Sequence, residues 1–360
     1  MKIKRSSKCT LKFATESKKQ RLYEIMNEYS RVVNIFIDMF WENDFVAGQL
    51  TKDLYAIPAS GLSARMRQCA AREALGMVNG AKEAKSTKPR HTGKKCIWSS
   101  QVVGLESGRN HFDLWLKIHS TGTGDSFYIP LKQHFHFNQY ADWNWATSII
   151  VHREYIQISF EKEVGQKSTS PYALGIDVGI NSLLTASNKS WFGDQIKALI
   201  NKIKRKKQHS KAYKRAKKEL SYYLHRIVKI FFNQLPKEVG LIVVERLKSL
   251  KKGKGKRSKG FRKTLSHWNY RELLKVIQMR AEENRVRFRT VNPAKTSQTC
   301  PVPTCSHTQR ENRVGKVFQC LRCGYSDDAD YVGSLNILTR FLTGQYGAGF
   351  KAFHEFLSGK

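Results

Sequence analysis

Apolar and polar positions alternate almost from the first residue, and Cys9, Leu11 and Phe13 fall on one face of a predicted strand. Over residues 15–43 the period lengthens to that of a helix, with Leu22, Ile25, Met26, Tyr29, Val32 and Val33 along its apolar side. A second helix is expected over residues 62–85. From residue 96 to 161 the two-residue period returns, in Phe112, Leu114, Leu116 and Ile118, in Phe127, Ile129 and Leu131, and in Ile156, Ile158 and Phe160. Short strands flanking a helical insert predict an N-terminal β-barrel carrying a helical lobe. A polar stretch over residues 163–170 ends at Pro171 and marks a boundary.

Beyond it the rhythm changes. Residues 172–178 form an apolar strand, Gly179-Ile180-Asn181 a turn, and residues 183–186 a returning strand. A strongly basic stretch, residues 202–218, reads as one helix. Residues 241–244 are a buried-type strand closed by Glu245. Tyr270, Leu273, Leu274, Ile277 and Ala281 line a helix, and Val286, Phe288 and Val291 a further strand. Strand, hairpin, helices and a strand ending in Glu is the order of an RNase H-like sheet. The expected class is therefore an α+β multidomain chain, with no internal repeat.

Charge adds the first hint of function. Among 360 residues, 64 are Lys or Arg against 29 Asp or Glu, a net charge of +35. So large an excess calls for a polyanion, and nucleic acid is the expected one. A membrane surface is disfavoured, because the cations spread along the chain instead of flanking an amphipathic helix. Residues 32–41 are too few to span a bilayer and include Asp38. No signal-peptide pattern follows Met1, so a cytoplasmic, nucleoid-associated location is expected.

Three acids stand where chemistry would need them. Asp177 ends the strand Leu174-Gly175-Ile176, Glu245 ends Ile242-Val243-Val244, and Asp330 lies near a helix start in Asp327-Asp328-Ala329-Asp330. Each alone has a bland reading as a turn, strand end or helix cap. Together in a basic chain they suit Mg²⁺, since a pair of ions about 3.5–4 Å apart can stabilise the attacking and leaving oxygens of a phosphodiester. Asp328 is an accessory candidate; helix register favours Asp330 as the third ligand. Of seven cysteines, Cys9, Cys69 and Cys96 are scattered. Cys300, Cys305, Cys320 and Cys323 form two close pairs, the spacing of a tetrahedral structural Zn²⁺ site.

Two basic tracts flank these groups. Lys204, Arg205, Lys206 and Lys207 belong to the first. The second, residues 248–263, reads as a mobile loop carrying Lys251, Lys252, Lys254, Lys256, Arg257, Lys259, Arg262 and Lys263, with Phe261 available to stack on a base. Charge runs are usually solvated faces, but their place beside the acids favours phosphate contact. His134 and His136 sit in a strand-like segment, where surface positions are favoured over metal ligation.

Over residues 172–338 the chain resembles the TnpB family of transposon-encoded RNA-guided nucleases, relatives of compact type V CRISPR effectors. The resemblance rests on Gly175-Ile176-Asp177-Val178-Gly179, Val244-Glu245-Arg246-Leu247, Thr296-Ser297-Gln298-Thr299-Cys300, Cys320 to Tyr325, and Asp328-Ala329-Asp330 with Asn336-Ile337. It implies a wedge-type barrel over residues 1–165 with a helical recognition insert at about 15–90. It further implies a RuvC-like nuclease domain over 171–295 and 324–360, interrupted by a zinc ribbon at 296–323. Asp177, Glu245 and Asp330 become the nuclease acids with two Mg²⁺, the four cysteines hold one Zn²⁺, and the partners are a structured guide RNA and double-stranded target DNA. The sequence departs from the family in the wider Cys300–Cys305 spacing and in Val332-Gly333-Ser334 where Asn-Ala-Ala is usual. Alternatives are a guide-directed repressor that no longer cleaves, a CRISPR-associated effector and a DNA-joining transposase. The target-adjacent motif, the guide's origin and the oligomeric state are not legible.

Overall fold

The computed structural model describes the chain except residues 44, 46, 109–110, 120–125, 248–258 and 345–360 and the side chains of Lys259 and Phe261. The described residues divide into two compact units, 2–163 and 164 onward.

In the first unit, β1 (Lys2–Thr10) alternates exposed and buried residues along its whole length. Thr15 caps α1 (Glu16–Glu42) by accepting the Lys18 amide, and α2 (Lys52–Ala56) follows. Ser63 likewise caps α3 (Ala64–Glu83) through the Met66 amide. The strands β2 (Lys95–Ser99), β3 (Val103–Ser107), β4 (Leu114–Ile118) and β5 (Phe127–Leu131) come next, then α4 (Phe135–Asn138), β6 (Asn144–His152) and β7 (Tyr155–Glu163). They form two antiparallel sheets, β1-β7-β6-β2 and β3-β4-β5. No barrel closes among the described residues. Helices α1 and α3 pack on one another and on β2, and their apolar faces share a single core with both sheets. Helices thus cover apolar surface that barrel closure would otherwise bury.

The segment holding His134 and His136 also differs from expectation. It is the one-turn helix α4, which buries Phe137 and leaves Phe135 exposed. His134 Nε2 lies 2.8 Å from the Lys8 carbonyl oxygen and His136 Nδ1 lies 3.1 Å from Ser7 Oγ. Both rings tie this turn to β1.

The second unit is built on a five-stranded sheet. Its strands are β8 (Ala173–Asp177), β9 (Leu184–Ala186), β10 (Ser190–Phe192), β11 (Leu241–Glu245) and, after the helices, β12 (Arg287–Val291), in the order β10-β9-β8-β11-β12. β8, β11 and β12 are parallel, and the β8-β9-β10 meander is antiparallel. One face packs on α5 (Ile196–Lys204), α6 (Lys211–Asn233) and α8 (Tyr270–Glu283), with α7 (Lys259–His267) between them in sequence. After strands β13 (Arg313–Val314), β14 (Val317–Gln319) and β15 (Ser326–Asp328), α9 (Ala329–Leu342) lies on the other face, where Ile337 and Phe341 meet Leu241, Val243 and Val291.

The basic stretch expected to be one helix is two. His209 takes a left-handed φ of 67°, and Ser210 caps α6 by accepting the Tyr213 amide. The good helix propensity of Arg205, Lys206, Lys207 and Gln208 hid a break imposed by one backbone angle and one cap. The second basic tract differs as well, since its last residues belong to α7.

Candidate functional site

Every acid in question points to the α9 side of the sheet. Side chains two apart on a strand share a face. Gly175 and Asp177 therefore point together, as do Leu241, Val243 and Glu245. Val244 pairs with Ile176 in parallel register, so Asp177 and Glu245 end adjacent strands side by side. A Cβ added at Gly175 would meet the Ser334 carbonyl oxygen at 2.2 Å and the Leu338 amide at 2.9 Å. Backbone therefore rests on backbone, which brings the first turn of α9 over the strand ends. A Cβ at Gly333 would lie 3.4 Å from Asp177 Oδ2, and one at Gly179 would lie 3.9 Å from Asp330 Oδ2.

Asp330 is buried in that first turn, while Asp328 accepts the amides of Asp330 and Tyr331, each at 3.0 Å, as the helix cap. The structure thus gives the two neighbouring acids different surroundings.

Electrostatically the three acids belong together. Burial, and then the charges of Glu245 and Asp330, push the Asp177 carboxyl well above its ordinary range. Burial also raises Glu245, against a hydrogen bond from Thr296 and the charges of Arg340 and Arg313. Arg313 had no signal in the sequence reading. It opens β13, between the cysteine pairs, yet its Nη2 lies 2.8 Å from Asp330 Oδ1. Carboxylates packed this closely repel unless cations offset them, and here two arginines supply part of that charge.

The four cysteines converge more tightly. Their sulfurs all lie within 4.8 Å of one another, with Cys300 Sγ 3.6 Å from Cys323 Sγ and Cys305 Sγ 3.7 Å from Cys320 Sγ. A tetrahedron with Zn–S arms of about 2.3 Å has sulfur–sulfur edges of about 3.8 Å. These separations far exceed a disulfide bond and fit such a site. Burial pushes the Cys300 thiol up to about 12. At Cys320, burial also raises the thiol, but amides of Cys323 and Arg322 and the adjacent sulfurs prevail and bring it down to about 6. Gly324, at φ 76°, returns its amide to the Cys320 carbonyl at 2.9 Å and closes one knuckle. Buried Asn312 joins the two halves: it donates to the Gln298 carbonyl at 3.0 Å and accepts the Leu321 amide at 3.1 Å. Among the described residues this is the one group of three or more His, Cys, Asp or Glu whose ligand atoms all converge in this way.

Cysteine lobe and acids are mechanically linked. β15 pairs with β14 of the lobe and runs directly into α9. Asn336 on α9 donates to the carbonyls of Thr296 and Thr299, both at 2.7 Å, just ahead of Cys300.

The first basic tract lies at the end of α5, where Lys204 donates to Thr264 at 3.0 Å and Arg205, Lys206 and Lys207 are exposed. Arg262 and Lys263 are exposed on α7. Lys251, Lys252, Lys254, Lys256 and Arg257 lie outside the described residues, and the Lys259 and Phe261 side chains are not described. No helix of the described residues is long and apolar enough to cross a membrane.

Residues 270–337 match the family model of the Cas12f1-like TNB domain. Among curated proteins, a TnpB-like protein of Methanocaldococcus jannaschii is 30% identical over 145 residues, 40% of this chain and 51% of that protein. The Cas12f1 endodeoxyribonuclease of Sulfoacidibacillus thermotolerans is 36% identical over 74 residues, 20% of this chain and 17% of that one. The chain thus matches about half the length of the first relative and far less of the second. In fold, it resembles the protein in a Cas12f1–sgRNA–target DNA complex, with a TM-score of 0.60, 17% identity, and coverage of 90% of this chain and 83% of that one. Sequence and fold together support a relationship to the TnpB and type V proteins.

Proposed function

We propose that this chain is a guide-RNA-directed DNA endonuclease of the TnpB type. Its site would be RuvC-like, with Asp177, Glu245 and Asp330 holding two Mg²⁺ and the four cysteines one Zn²⁺. The observation that carries this reading is the register that brings Asp177 and Glu245 to adjacent parallel strand ends beneath the α9 turn bearing Asp330. The strand order and the antiparallel meander are those of an RNase H-like sheet, which supports the same reading.

A pair of ions about 3.5–4 Å apart can stabilise both the attacking and the leaving oxygen of a phosphodiester. Bound by the three acids, Mg²⁺ would activate water and neutralise charge on the leaving oxygen. The chain's own groups then have distinct tasks. Thr296 orients Glu245, Asp328 fixes the turn that presents Asp330, and Arg313 sets a cation beside the scissile phosphate. A net charge of +35 supports polyanionic partners, a structured guide RNA and double-stranded DNA, with base pairing reading the sequence.

The test is to express the chain with its flanking DNA, sequence the RNA that co-purifies, and assay guided cleavage. Wild type should cleave matched DNA in Mg²⁺, and Asp177→Ala should bind it without cleaving. Cleavage retained by Asp177→Ala would defeat the site assignment.

A further inference from the structure

We infer that Trp191, Tyr331 and Lys189 form a binding platform for an unpaired base of single-stranded DNA, set beside the acids; this rests on the nuclease reading above. Trp191 pairs with Thr185, and Thr185 pairs with Asp177, so the three lie in one lateral row across β10, β9 and β8. Directly paired residues share a face of the sheet. Phe192, the next residue, meets Phe231 of α6 on the opposite face, at a ring separation of 5.4 Å. Trp191 therefore projects on the side of α9 and the acids, two strand spacings or about 10 Å from Asp177.

Burial sets Trp191 apart. Thr185 in the same row is almost wholly buried, whereas Trp191 is 48% exposed on the edge strand. Its partner is Tyr331, the residue after Asp330, at a ring separation of 6.4 Å and a tilt of 48°. At that distance and tilt neither ring covers the other's face. Lys189 adds the charge: at a left-handed φ of 60°, it holds its ammonium 4.9 Å from the Tyr331 ring centre and 3.2 Å from Asp327 Oδ2. An exposed indole, a half-buried phenol ring beside it and an ammonium group suit a nucleotide, the rings taking the base and the cation the phosphate. The base must be unpaired, because a duplex base has no free face to offer. The short span to Asp177 allows one strand to occupy the platform and the acids at once.

Photo-crosslinking tests the assignment. Short single-stranded DNA carrying 5-iodouracil is bound to the full chain with its co-purified RNA in Ca²⁺, irradiated, and the linked peptides are identified by mass spectrometry. Crosslinks at Trp191 or Tyr331 are expected. Affinity for the same DNA should fall about tenfold in Trp191→Ala and recover in Trp191→Phe, since one stacked base contributes a factor of that order. Thermal midpoints of the variants, measured alongside, should stay close to wild type. Crosslinks confined to the α5–α6 cations, stronger linkage to 5-iodouracil RNA than to DNA, or unchanged affinity in Trp191→Ala would each overturn the platform. A chain that crosslinks as expected but never cleaves in Mg²⁺ would instead count against the nuclease reading.

Discussion

Arg313 and Asp330 are joined by an ion pair of 2.8 Å, although one belongs to the cysteine lobe and the other to the helix carrying the third acid. The pair makes the lobe part of the acid cluster's electrostatics. Arg313→Ala removes a cation that lowers both Asp177 and Glu245. Divalent-ion binding, followed by calorimetry with Mn²⁺, should tighten. Cleavage should nevertheless fall by about 10²–10³, the usual effect of losing one donor to a developing anion. Arg313→Lys should recover part of the rate; full activity in Arg313→Ala would show that the pair only fastens the lobe.

The acid cluster should leave a signature in stability. A carboxyl whose folded pKa is raised binds its proton more tightly in the native state. That contribution is full below the unfolded value of about 4 and is lost as pH rises through the folded value. Asp177 and Glu245 are both raised. In EDTA, Asp177→Asn should therefore become progressively more stable than wild type as pH rises from about 4 toward neutral. Mg²⁺ should shrink or reverse the difference. Thermal melts across pH decide it, and a difference that does not change with pH would refute the coupling.

Gly175 should not tolerate a side chain. The methyl of Gly175→Ala meets backbone atoms of Ser334 and Leu338, which cannot rotate away. Overpacking of this kind costs about 1–3 kcal/mol. Because the displaced element carries Asp330, cleavage should drop more than stability alone accounts for. Denaturant unfolding and cleavage rates, measured on the same preparation, separate the two effects.

Metal removal should act beyond the cysteine lobe. Cys320→Ser should lose about one Zn²⁺ per chain by elemental analysis. It should also weaken cleavage, because the lobe leads into α9 through β15. Normal cleavage by a zinc-free chain would mean that Asn336 and the sheet hold α9 unaided.

The parts of this molecule that announce themselves in sequence are those with local causes. The run ending in Glu245 is a strand because β-branched residues pack on both its faces, the run ending in Asp177 because Leu174 and Ile176 alternate with small residues, and the cysteine pairs advertise their chemistry by spacing. Asp328 and Asp330 needed the cap geometry to be told apart. Arg313 could not be found at all: its strand, β13, is two residues long and too short to show a period, and its partner lies beyond the second cysteine pair in the sequence. Strand alternation in residues 2–163 likewise reveals which faces are apolar but not which strands pair, so a barrel was expected where two sheets and two helices share the core. His209 hid its break because a single left-handed residue leaves no compositional trace.

The acids also have an order in time. Asp177 leaves the ribosome roughly 150 residues before Asp330, a delay of roughly 10–30 s at ordinary elongation rates. During it the β8–β11 pair can form, but the turn that brings the third acid does not yet exist. A nascent chain of such strong positive charge can attract a polyanion before the three acids are assembled. Under the proposed nuclease reading, synthesis itself would put RNA loading ahead of cutting.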